Sequence, residues 1–267
     1  MKKWILLLNI LITNNVYSAE IAGICGDSYD DCHYTLSNDG ILTISGNGKM
    51  SDYDIEGGYT MPWGNQIKAV QMSGITSIGT YAFYNTPGLT NVTIPKTVEN
   101  INEGAFAMTS LNDVIYETDE TGQAKLKTIG RDVFAMTNIK NMVIPNSVTE
   151  IGQGVFYRDK KLESIVIGDL VSSLGIYLLA EASNDAVIYC QDTQQRTCRD
   201  LIEENNVGNA YRLKSYSFDK DGNIISENKK FSSLDKLAKG LEIKRIYTID
   251  EANAVAGKVN SVKIRYR

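Results

Sequence analysis

The 267-residue chain contains one histidine, His33, and histidine chemistry needs a partner that orients the ring. His33 falls between a cysteine and a strand-like run, so it reads as a surface or end-block residue. No H-E-x-x-H, G-x-S-x-G or Walker A string is present. Asp219, Asp221, Gly222 and Asn223 resemble the start of a calcium loop. The later bidentate glutamate is missing, and an Asp-Gly hairpin turn accounts for the same residues. Asp52, Asp54 and Glu56 form a carboxylate cluster that reads equally as a solvated loop. No catalytic constellation, metal site or cofactor is expected.

The four cysteines fall in two close pairs, Cys25 with Cys32 and Cys190 with Cys198. Their spacings are wider than the usual two to four residues between zinc ligands, which favours two short-loop disulfides. Disulfides persist outside the cytoplasm. The N-terminus agrees: Lys2 and Lys3 precede an apolar run from Trp4 to Ile12, and a polar stretch ends in Val16-Tyr17-Ser18-Ala19. That is the layout of a secretory signal peptide with cleavage after Ser18 or Ala19. The first cysteine lies too far downstream for lipid anchoring, and no later run is long enough for a membrane helix.

Whatever residues act must be positioned by a repeat. The segments ITSIGTYAF (75–83), VENINEGAF (98–106), LKTIGRDVF (126–134), VTEIGQGVF (148–156) and VSSLGIYLL (171–179) align without gaps, at steps of 23, 28, 22 and 23 residues. A polar insertion, YETDETGQAKLK (116–127), fills the long step. Ahead of each segment stands an apolar L-x-x-L-x-L pattern, as in Leu89, Val92 and Ile94 or Leu162, Ile165 and Ile167; extending it by 23 residues reaches Ile188 and Cys190. Alternation puts Val92 and Ile94 on one face of a short strand and Thr93 on the other, and Pro95 or Pro145 ends the strand. One coil of about 23 residues cannot enclose its own apolar face, so stacked neighbours must share a core that includes a ladder of Phe83, Phe106, Phe134 and Phe156.

The strings NVTIPKTVENINEGAFAMTSL (91–111) and NMVIPNSVTEIGQGVFYRDKKL (141–162) resemble the BspA-like leucine-rich repeat of bacterial surface antigens, with its I-P-x-x-V-x-x-I-G-x-x-A-F pattern. The resemblance covers about residues 66–190. It implies a leucine-rich-repeat solenoid of α/β repeat class with about five to six coils. It also implies a non-catalytic role in adhesion or host contact. Asn102 stands where other repeats carry Gly, and Leu174 with Leu179 replaces Ile and Phe in the final coil, as in a modified terminal repeat.

A repeat stack exposes its core at both ends unless capped. Residues 20–65 read as an N-terminal cap with strands near His33–Leu36 and Ile41–Ser45, a turn at Asn38-Asp39-Gly40, and Trp63 covering the stack. Residues 191–213 read as a capping helix over TCRDLIEENN (197–206), stapled by Cys190–Cys198. Residues 214–267 read as a small α+β module: a hairpin at Asp221-Gly222, a helix around 233–239, a strand near 244–247, a helix from Thr248 to Ala256 and a final strand at 261–267. Charge divides at the same place. Residues 1–210 carry 14 Lys+Arg against 25 Asp+Glu, a balance of −11, and residues 211–267 carry 13 against 7, a balance of +6.

The candidate binding surface is the outward column of the sheet, Gln71, Thr93, Ile115, Val143, Val166 and Tyr189, which turns apolar toward the C-terminal coils. β-branched residues also suit strands irrespective of binding. If the column is exposed, changing Val143 and Val166 to Glu abolishes binding and leaves the fold intact. The expected partner is a protein or glycan; an exported chain with an acidic repeat is a poor nucleic-acid binder. The alternative is a structural or sorting component held at the cell envelope by residues 214–267.

Overall fold

The fold comes from a computed structural model, which describes residues 21–58, 60–168, 170–191, 198–205, 207–208, 212–218, 224–226 and 229–231. The chain enters through three strands, β1 (Ile21–Ile24), β2 (His33–Leu36) and β3 (Ile41–Ser45). Coils follow in which a longer strand alternates with a two-residue one: β4 (Ala69–Ser73) and β5 (Ser77–Ile78), β6 (Asn91–Ile94) and β7 (Asn100–Ile101), β8 (Asp113–Tyr116) and β9 (Thr128–Ile129), β10 (Asn141–Val143) and β11 (Glu150–Ile151), β12 (Ser164–Ile167) and β13 (Ser173–Leu174). After β14 (Val187–Gln191) come the helix α1 (Cys198–Glu204) and strands β15 (Arg212–Phe218), β16 (Ile224–Ser226) and β17 (Lys229–Phe231).

The short strands stack in parallel as a five-stranded sheet, β13-β11-β9-β7-β5. Their partners are Ser77↔Asn100, Asn100↔Thr128, Thr128↔Glu150 and Glu150↔Ser173, which reproduce the sequence steps of 23, 28, 22 and 23. Coil-to-coil stacking therefore follows the gapless alignment residue for residue, and the insertion leaves the register of the next coil intact. The longer strands form three separate ladders, β1-β2-β3-β4, β6-β8 and β10-β12-β14-β15-β16-β17, and between them and the short-strand sheet lie the apolar columns, with Ile67, Leu89, Leu111, Ile139, Leu162 and Ile188 all fully buried. Phe83, Phe106, Phe134 and Phe156 stack with ring centroids 5.1, 5.9 and 6.1 Å apart. Trp63 begins this ladder, 6.1 Å from Phe83, and its indole N–H donates to the Ala82 carbonyl at 3.2 Å. Tyr34 and Tyr53 meet its ring edge-on.

Each turn around a Phe needs two left-handed residues, one two places before the ring and one two places after. Tyr81 and Asn85 flank Phe83, Asp132 and Met136 flank Phe134, and all four have φ between 51° and 60°. Glycine takes the first of these places in two coils. A Cβ on Gly104 would lie 2.3 Å from the Tyr81 ring, and one on Gly154 would lie 2.2 Å from Asp132 Oδ1. Large residues at Tyr81 and Asp132 thus lean over glycines in the following coil.

At the N-terminal end the structure adds to the expected hairpin. β2 and β3 pair antiparallel around Gly40, whose φ is +82°, with β1 as a further antiparallel strand. β3 then pairs in parallel with β4, Leu42 against Val70 and Ile44 against Met72, and Lys49 bridges Ser77. Residues 41–50 are therefore a degenerate coil in register with the stack. Cys25 and Cys32 form a disulfide that ties β1 to β2. At the other end Leu201 and Ile202 of α1 are buried in the same core, and β15 pairs in parallel with β14, Val187 against Arg212. That strand continues the solenoid sheet, where the sequence had placed the start of a separate module. β15 and β16 pair antiparallel as the expected hairpin requires, and β17 extends them. The signal-peptide residues, the turn at 219–223 and the elements expected beyond 231 lie outside the described residues. Cys190 is disulfide-bonded, whereas the Cys198 side chain is not among those described.

Candidate functional site

The long strands present their second face away from the core, and this face carries the expected binding column. The structure divides it. Thr43 and Gln71 are paired across β3 and β4, and with Thr93 and Val143 they are half-buried. Ile115, Val166 and Tyr189 are instead buried, at 6, 1 and 8 % exposure, which corrects the expectation that the apolar end of the column is open. Every residue of β12 is buried, so both faces of that strand are covered. The physical reason is legible in composition: DVIY, SIVI and VIYC are near-continuous apolar runs, the pattern of parallel strands buried on both sides. NVTI, by contrast, keeps a polar residue at its outward place. Strand alternation alone located the column but not its cover.

What remains open lies toward the N-terminal coils. No hydrogen-bonded ladder joins β4 to β6 among the described residues: the sheets are β1-β2-β3-β4 and β6-β8. At this break a cleft of about 370 Å³ is lined by Thr43, Gln71, Met72, Lys96 and Glu117 among others. Pro95 follows β6 there, and Lys96 and Thr97 after it line the cleft. The Lys96 amide donates to Glu117 Oε2 at 3.2 Å, and the Thr97 hydroxyl donates to the Ile75 carbonyl at 2.7 Å. These bonds fix the turn and leave the Lys96 ammonium for other partners.

The other candidate chemistry resolves into structure. His33 stacks on Tyr29 at 4.1 Å, with Nδ1 bonded to the Tyr29 carbonyl and Nε2 to Ser45 Oγ. Asp52 Oδ1 accepts from the Thr80 amide at 2.6 Å and the Asn102 amide group at 3.0 Å. Burial pushes its pKa up, yet these bonds outweigh that and hold it below the ordinary carboxylate value. The same contact gives the Asn102 side chain a partner at the place where other coils carry glycine. Asp54 bonds the amides of Glu56 and Gly57, as a turn-forming aspartate does. Among the described residues no group of three or more His, Cys, Asp or Glu is placed to hold a metal, and no helix is long and apolar enough to cross a membrane.

Sequence reasoning passed over Asp159. It occupies the column of Thr86, Thr109 and Thr137, fully buried. Its Oδ1 accepts from the Thr137 amide at 2.6 Å and the Thr137 hydroxyl at 3.2 Å, while Oδ2 has no partner among the described residues. Burial pushes its pKa up to about 8 against those two bonds. The signal was available, as an aspartate in a threonine column.

Residues 64–184 match the family described as BspA type leucine rich repeat region, in six copies. A leucine-rich repeat protein from Eubacterium ventriosum is 26 % identical, with a TM-score of 0.55 over 79 % of this chain and 49 % of that one. This chain thus spans about half the length of that protein. The pneumococcal vaccine antigen PcpA is 15 % identical over 74 % of this chain and 53 % of its own, with a TM-score of 0.37. A leucine rich cell surface protein from Faecalibacterium prausnitzii is 18 % identical over 76 % and 60 %, with a TM-score of 0.28. No curated protein matches the chain.

Proposed function

Residues 64–184 are a BspA type leucine-rich-repeat region, and on that premise we propose that the chain is an exported, surface-exposed binding protein of adhesion type that takes a protein or glycan ligand without catalysing a reaction. Residues 1–19 act as its signal peptide, 20–65 and 191–213 close the ends of the repeat, and 214–267 form a basic module. The observation that carries the reading is the outer sheet face: it is polar and half-buried over Thr43, Gln71 and Thr93, where the face farther along is buried, and it contains a cleft at a break in the ladder. A concave site with a few convergent polar groups is the usual form of a ligand site.

The binding residues proposed are Thr93 and Val143, with Gln71 beside them. The mature chain should capture one or more immobilised host matrix proteins or glycans. Replacing Thr93 and Val143 together by Glu should abolish capture at an unchanged melting temperature. Capture that survives the double substitution would sink this surface assignment.

A second reading rests on a separate observation. Because Arg212 to Tyr216 of β15 pair with β14, the basic segment begins as part of the solenoid sheet. A module seated this way would hold the repeat at the cell envelope. Deleting residues 232–267 and fractionating the cells separates the two readings: lost retention with ligand capture intact favours attachment.

A further inference from the structure

The cleft at the β4–β6 break displays an unusual set of uncommitted groups. Thr43 and Gln71 face it from adjacent strands, Ser73 stands at its edge, and Lys96 and Glu117 reach it from the turns that follow β6 and β8. Among the described residues, no hydrogen bond engages the side chains of Thr43, Gln71 or Ser73, and neither Lys96 nor Glu117 belongs to an ion pair. Glu117 spends one oxygen on the Lys96 amide and keeps the other.

The cleft therefore offers a carboxylate, an ammonium, an amide and two hydroxyls around a volume of about 370 Å³, with Met72 and Pro95 as its apolar surface. Acceptors and donors of both charges at short range suit a ligand whose neighbouring groups each donate and accept. Vicinal hydroxyls do this: one donates to the Glu117 carboxylate while the next accepts from the Lys96 ammonium or the Gln71 amide. A phosphate or carboxylate ligand would be repelled by Glu117, and an apolar peptide side chain would strand these polar groups without partners, at a desolvation cost. The volume lies at the small end of ligand sites.

We propose that this cleft, lined by Thr43, Gln71, Ser73, Lys96 and Glu117, is a saccharide subsite that holds one or two rings of a neutral glycan through vicinal hydroxyls. The inference rests on the reading of the chain as a binding protein and names the ligand class at its open face.

The test is an amide-resolved NMR titration of the mature chain with lactose, maltose, cellobiose and chitobiose. At least one disaccharide should shift the amides of residues 71–74, Lys96 and Thr97. Glu117→Gln and Gln71→Ala should each weaken that disaccharide by about tenfold, as loss of one charge-assisted or bidentate hydrogen bond does, with the melting temperature unchanged. Absence of shifts at those amides for all four sugars, or equal affinity in both variants, overturns the saccharide assignment. If the chain then still captures a matrix protein in a manner sensitive to the Thr93 and Val143 substitutions, the adhesion reading stands and only the ligand class fails.

Discussion

Single side chains set the pH and packing behaviour of the stack. Burial favours the neutral form of Asp159 in the folded chain and raises its pKa to about 8 from the ordinary value of 3.8. A raised folded pKa favours the fold fully below the unfolded value, and that contribution is lost as pH rises through the folded one. The melting temperature should therefore decline between about pH 4 and pH 8, and Asp159→Thr, which restores the column residue, should flatten the decline. An unchanged profile in the variant would show that another group titrates. Val166 is a second case: at 1 % exposure its change to Glu buries an unpaired charge, and stability should fall by roughly 4 kcal/mol or more in urea titrations. A variant as stable as the parent would mean that this face is open after all. Gly104→Ala forces a Cβ against the Tyr81 ring at a left-handed position and should cost more than about 1 kcal/mol by the same measurement.

At the scale of elements, the two ends differ from the middle because each coil contacts only its neighbours. The Cys25–Cys32 bridge ties β1 to β2, and β3 in turn is the first rung of the sheet. Reduction should raise hydrogen exchange across residues 21–45 while the amides of β10 and β12 stay protected. Uniform loss of protection would show instead that the N-terminal strands govern the whole stack. The cleft illustrates how element boundaries make a site. Pro95 follows β6 and Pro145 follows the β10 run, and among the described residues each of these strands pairs with the strand after it and not with the one before, so the ladder breaks at β4–β6 and again at β8–β10.

The whole molecule behaves as a one-dimensional array held along one aromatic ladder from Trp63 to Phe156. A truncation in the middle of such an array weakens coupling between its halves as well as local packing. Phe134→Ala should cost about 3–5 kcal/mol and split urea unfolding into separate steps for the coils on either side, as read by residue-resolved exchange. A single transition displaced to lower urea would mean that the flanking strand ladders carry the coupling without the ring.

The repeat, its register and its core were determined by the sequence alone, since a period repeated five times leaves one arrangement that buries every apolar column. The ends of the stack and its open face were not. The role of residues 41–50 as a degenerate coil depends on Leu42 and Ile44 finding Val70 and Met72 across 28 residues, a pairing that local pattern does not specify. The correction at Ile115, Val166 and Tyr189 has the same origin: strand alternation fixes which way a side chain points, but only the tertiary structure decides what lies over it. The cleft likewise lies where the strands of two neighbouring coils do not complete a ladder, and hydrogen bonds between coils form or fail by spatial fit.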